Sequence, residues 1–367
     1  MILLLFSPRI KANSEIVESQ ASSLGIQAFL DRSRAYTKEV FPDLDFNTVF
    51  QSGIQGKLNI SGLTGRILSL LGDELKTGIS GIIAVLIVII LHSVLKAVVE
   101  NLSNTNAGQI AYFVEYLAIV SVITANFSEI LLVVKTAIQE LINFMHLFIP
   151  ILITLMFTSG GLASSSGLGA IMIFAINIIG NVIEMLLIPL IMCATVLGIV
   201  NSFSDKTQIA GLAKFMKSSV LWILGILLTI FVCSLTLQGT LSSSVDGVTS
   251  KTAKAAISNF IPFVGKIMGD TLDTVIGCAN ILKNTFGVIG VLIILGIAVL
   301  PIIKITIMWF LLRLTACVCE TIADGKIVKL LADISDSYKM LFGILVSCSI
   351  MFVIGITIVM RMTNIAA

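Results

Sequence analysis

Apolar runs of bilayer length follow one another along this chain, and they narrow its fold more than any other feature. They lie at roughly 79–99, 110–127, 142–158, 167–186, 187–203, 219–239, 284–301, 302–320 and 340–360. An α-helix needs about 17–25 mostly apolar residues to cross a hydrocarbon core about 30 Å thick. Inside that core only protein can satisfy a backbone amide, so a spanning segment is a helix or a strand of a closed barrel. A barrel would show alternating segments of about ten residues, and these are absent. The chain is therefore expected to be all-α, a polytopic membrane protein with about 7–9 membrane segments. Of its 367 residues 12% are charged and 57% hydrophobic. A soluble domain carries about 25% charged residues, so an ordinary cytosolic enzyme is excluded. The net charge of +2 points to no nucleic acid.

Two regions are expected: residues 1–77, an N-terminal extramembrane or interfacial segment, and residues 78–367, the polytopic membrane domain. Six apolar residues precede Ser7 and Pro8. A signal peptide needs about 7–15 after a basic start, so residues 1–12 are expected to be the tail of a truncated one. Leu63, Ile67, Leu71 and Leu75 stripe one helix face, which predicts an interfacial helix ahead of the membrane. The cysteines at 193, 233, 278, 317, 319 and 348 lie in or beside apolar segments. They read as small core residues, not as a disulfide framework or metal site. The loops 204–218 and 321–339 each carry three lysines. The positive-inside rule favours the cytoplasm for both, and on the predicted spans these signals compete, which leaves the topology open.

The prolines suggest a duplication. Pro150 and Pro189 are 39 residues apart, as are Pro262 and Pro301. An offset of 112 overlays Phe148-Ile149-Pro150 on Phe260-Ile261-Pro262, and Phe174 on Phe286. Repeats at 107–203 and 219–315 are expected on this basis, with chance matching of apolar residues as the competing explanation. Halves that each cross the membrane an odd number of times would be inverted, as in transporters with broken helices at a central site. Proline removes a backbone donor, so Pro150, Pro189, Pro262 and Pro301 are expected helix breaks. The short runs 142–158 and 187–203 are then half-helices or re-entrant segments, with a Gly/Ser-rich hinge at Thr158–Gly169 between them.

Polar residues within the apolar runs are the candidate functional groups. Asn177, Asn181 and Glu184 follow at steps of four and three, on one face of a helix. A charged group at a helix centre costs about 2.5–3.5 kcal/mol on insertion scales and therefore faces protein or water. The row lines a polar path or makes interhelical hydrogen bonds. Arg313 pairs with Glu184 or Glu115, or snorkels to the interface. A further polar face holds Thr136, Gln139, Glu140, Asn143 and His146. Gly265-Lys266 lacks the glycine spacing and the following Ser/Thr of a phosphate loop, and two lone histidines make no triad or metal site. No enzyme, metal or cofactor is expected.

The stretch Asp246–Val275 is polar yet patterned like a buried helix, with Ala253, Ile257, Phe260, Val264 and Ile267 at helical steps. With SFSDKTQIAGLAKF at 202–215 and LKNTFGVIGVLIILGIAVLPIIKI at 282–305, it resembles the stage III sporulation protein AE family. The resemblance runs in order over about 110–320 and less clearly to 360. It implies a membrane protein of an endospore-forming bacterium, made in the mother cell and seated in the membrane surrounding the forespore. There it implies a part in a channel or secretion-like complex for endospore development. The implied partners are the other stage III A operon proteins, a forespore-side channel protein and membrane lipid. A permease-like or export-gate role, with a path between the Pro-marked halves, is expected. A non-transporting scaffold and an independent secondary transporter stay open as alternatives.

Overall fold

The computed structural model describes residues 21–22, 25–38, 40–42, 45–54, 63–100, 105–203, 207–260 and 264–362. Residues 1–12 and Pro262 lie outside these, as do the side chains of 253–273 and of His92, Lys96, Tyr112 and Glu115. The elements are α1 (Ile26–Thr37), α2 (Phe46–Ile54), α3 (Leu63–Glu100), α4 (Thr105–Thr158), α5 (Leu162–Val182), a π turn (Ile183–Leu187), α6 (Ile188–Phe203), α7 (Thr207–Phe260), α8 (Val264–Cys319) and α9 (Gly325–Met362). No strand occurs among the described residues.

Six helical stretches among the described residues are long and apolar enough to cross a membrane, fewer than the seven to nine expected. The difference lies in fusion. Runs 110–127 and 142–158 are both parts of α4, and 284–301 and 302–320 are both parts of α8. Runs 167–186 and 187–203 join through the π turn. The half-helices and re-entrant segments are therefore not observed. At 54 residues, α4 is about 81 Å long, well over twice the hydrocarbon thickness of about 30 Å. The stripe Leu63–Leu75 is likewise no separate interfacial helix. It forms the first turns of α3, where Leu70 packs on Val40, Phe41, Ile303 and Ile307.

Two of the expected helix breaks are absent. Pro150 and Pro301 sit inside continuous helices. A proline removes one hydrogen bond, and in an apolar setting neighbouring helices and hydroxyl side chains compensate. The carbonyls that lose their donors are those of His146 and Ile297, four residues back, and Pro301 is buried among neighbours. Pro189 is the second residue of α6, directly after the π turn, so the helix is irregular there without ending. The expected hinge shrinks to Ser159–Gly161, where Gly160 takes a φ of 88°, a conformation that favours glycine.

The helices give the duplication no support. The offset of 112 carries Thr158, the end of α4, onto Asp270 inside α8, whereas α7 ends at Phe260. Each proposed half is one hairpin of two long helical passes, an even number that leaves both halves pointing the same way.

Helix α8 is the centre of the bundle, packed on α3, α4, α7, α9 and the two N-terminal helices. Phe148 of α4 and Phe286 of α8 stack at 4.8 Å with ring planes 4° apart. Phe29 of α1 closes on Phe286 at 4.9 Å. Gly290 makes room for this stack, since a Cβ there would lie 2.4 Å from the Phe148 ring. The N-terminal segment thus contributes to the core and does not merely rest on it. Cys278, Cys319 and Cys348 are buried, as the sequence suggests, but Cys193, Cys233 and Cys317 are exposed on helix surfaces.

Cross-ties place the two basic regions at one end. Lys217 Nζ lies 3.5 Å from Asp333 Oδ1, and Lys329 Nζ donates to the Asn201 carbonyl at 3.2 Å. Ser93 Oγ donates to the Ile322 carbonyl at 3.0 Å, and Tyr116 Oη to that of Ile199 at 3.1 Å. The end of α6, the start of α7 and the α8–α9 turn therefore share one face of the bundle. The two lysine signals reinforce each other there.

Candidate functional site: a polar groove between α4 and α5

The row Asn177, Asn181 and Glu184 runs up the outer face of α5 into the π turn. Opposite it stand Gln139 and Asn143 of α4, one helical turn apart. With Ile142, Ile176 and Gly180 these residues line a groove of about 270 Å³ that opens to the outside of the bundle. Gly180 sets the helix spacing, since a Cβ there would lie 2.8 Å from Ile142 Cδ1. Small residues allow this close approach between apolar helices.

The π turn aims Glu184. Ile188 N–H donates to the Ile183 carbonyl, one residue further back than in an α-helix. It lies just before Pro189, where the ring would crowd the preceding turn. Asn177 Nδ2 donates to the Ile173 carbonyl at 2.8 Å. Among the described residues, Gln139, Asn143, Asn181 and Glu184 make no side-chain hydrogen bond or ion pair. Beside them on the α5 side, Phe174 is 67% and Met185 79% exposed. Chemically the groove offers amides that both donate and accept, beside one carboxylate.

Arg313 does not join this site. It is exposed on α8 and makes no ion pair among the described residues. Pro150 and Pro301 lie inside continuous helices and do not line the groove, and Pro189 directly follows the π turn. The α4 face was legible as a polar stripe. That it faces the α5 row was not, because nothing local to either helix encodes the pairing.

The sequence reading missed the work of Asp246. This α7 carboxylate is 5% exposed and accepts the backbone N–H groups of Ala163 at 2.7 Å and Ser164 at 3.0 Å. These are orphan donors of the first turn of α5, whose N-cap residue, Gly161, offers no side chain. Asp246 caps α5 from another helix and opposes its dipole. The available signal was a lone acid in a long helix and a helix start, GGLASSS, without Asp or Asn to cap it. Lys304 was also passed over. It pairs with Glu129 at 3.1 Å, tying α8 to α4.

Comparison with known proteins follows the same lines. The family described as Stage III sporulation protein AE matches residues 44–363. A protein of that name from Bacillus subtilis (strain 168) is 29% identical over 284 residues, covering 77% of this chain and 71% of the relative. No solved structure matches. The match covers the signature block, the groove and the Asp246 cap alike, and on it the chain belongs to the stage III sporulation protein AE family, with a role in sporulation.

Proposed function

We propose that this chain is the permease-like or export-gate component of the mother cell–forespore channel complex required for endospore development. It sits as a multi-pass protein in the mother-cell membrane surrounding the forespore. Its partners are the other stage III A operon proteins and a forespore-side channel protein. The groove between α4 and α5 forms one wall of the path for small molecules or peptides, and no catalytic step is involved. The observation that carries this is the outward-facing set Gln139, Asn143, Asn177, Asn181 and Glu184, flanked by the exposed Phe174 and Met185. Amides that donate and accept can replace water around a peptide-like cargo. Polar groups kept in apolar helices are costly and mark pathways.

The test is a triple replacement, Asn177→Leu, Asn181→Leu and Glu184→Leu, in a strain that accumulates the protein normally in its membranes. Loss of heat-resistant spores, with partner co-purification retained, is the expected result. Normal sporulation overturns the path. A scaffold is the second reading, favoured by the apolar groove of about 520 Å³ along Leu221, Trp222, Gly225, Ile226 and Ile230 of α7. It predicts lost co-purification when α7, and not the polar groove, is altered.

A further inference from the structure

The polar groove leaves a problem. Its amides and carboxylate point away from the chain's own core, on helices built to lie in an apolar medium. Lipid tails supply no donors or acceptors, and each unsatisfied polar group there costs several kcal/mol. Within hydrocarbon, only another polar surface can cover such a seam.

The chain itself has the matching surface. Lys135 lies four residues before Gln139 on α4, so it extends the same face by one turn. It is exposed and makes no hydrogen bond or ion pair among the described residues. Helices α4 and α5 are antiparallel, and Ile142 meets Gly180. Counting from that crossing, Lys135 lies seven residues along α4 and Glu184 four residues along α5, in the same direction. Their heights differ by about 4.5 Å, within the reach of a lysine stem. A two-fold rotation about an axis parallel to the helices preserves height. It sets Lys135 of one copy against Glu184 of the other, twice. Between these ion pairs the amides of one copy meet amides of the other, and an amide is its own complement in donors and acceptors. The exposed Ile178 and Met185 flank the row with apolar contact.

We infer that two copies of this chain pair across the α4–α5 seam, with Glu184 of each copy meeting Lys135 of its partner. The inference extends the functional proposal, because the groove becomes an enclosed polar seam between two protomers and no longer an open trough.

The experiment uses the full chain in native membranes, with Cys193, Cys233, Cys278, Cys317, Cys319 and Cys348 replaced by serine or alanine. Asn143→Cys and Asn181→Cys, made one at a time, are oxidised with copper phenanthroline. Both are expected to give disulfide-linked dimers, while Thr229→Cys on the exposed face of α7 gives none. Glu184→Lys or Lys135→Glu alone is expected to cut the cross-linked fraction roughly tenfold to a few hundredfold, because each removes both symmetry-related interhelical polar contacts. The double swap restores it. Absence of cross-links at both seam positions, or cross-linking indifferent to charge reversal, overturns the pairing. Spore counts on the triple-leucine strain, set beside the cross-linking, separate the two proposals. A dimer that forms while the apolar triple variant sporulates normally retains the interface and removes the path. Lost sporulation without any seam cross-link retains the path and removes the interface.

Discussion

Replacing Asp246 with alanine removes both acceptors for the Ala163 and Ser164 amides, at 2.7 and 3.0 Å in the native chain. Ser164 is fully buried, so water cannot take over without opening the turn. A buried donor left unpaired costs about 1–3 kcal/mol, and loss of a helix N-cap about 0.5–2 kcal/mol. These overlap, because the capping bonds are the lost bonds, and alanine relieves the desolvation of the carboxylate. The net expectation is about 2–4 kcal/mol, confined to the start of α5. Asp246→Asn keeps one acceptor and turns an NH₂ towards the other amide, so about half of that loss is expected. Hydrogen exchange in detergent or nanodiscs reads this directly. For the alanine variant the Ala163 and Ser164 amides should exchange roughly 30-fold to several hundred-fold faster, while amides in α9 keep their protection. Unchanged protection at both amides would show that the carboxylate does not hold α5. Equal loss in α9 would show that the effect is global and not a cap.

Two further outcomes follow from packing and orientation. Gly290→Ala drives a methyl into the Phe148 ring, at a site where the Cβ would lie 2.4 Å away, and should cost about 1–3 kcal/mol by overpacking. Gly277→Ala, with nothing within 4 Å of its Cβ, should stabilise by up to about 1 kcal/mol through helix propensity. Thermal unfolding in detergent that moves both variants the same way contradicts the packing described. In a cysteine-free background, Lys214→Cys and Thr321→Cys should label from one side of the membrane and Thr158→Cys from the other. By the positive-inside rule the lysines clustered at the first end favour the cytoplasm for it. Labelling of Lys214→Cys and Thr321→Cys from opposite sides would contradict the shared end set by the Lys217–Asp333 contact.

Local chemistry wrote much of this molecule legibly. Runs such as 340–360 have no option but helix in an apolar medium, and the steps between Asn177, Asn181 and Glu184 place them on one face wherever the helix packs. The glycine, serine and charged positions of Asp246–Val275 carried the family resemblance. Punctuation was harder to read. Pro150 and Pro189 mark the sequence alike, yet the α-helix continues through the first and a π turn forms just before the second. A proline's local cost of about 3 kcal/mol is outweighed or accommodated according to what packs around it, which lies far off in sequence. Thus the class, the helical faces and the family signature follow from the sequence by itself, because each rests on residues within a turn or two of one another. The fusion of nine apolar runs into six long passes, the shared end of the two lysine-rich regions, the Asp246 cap and the meeting of the α4 and α5 polar rows were decided by tertiary structure. Each depends on which helix lies beside which, and periodicity within one helix says nothing of its neighbour.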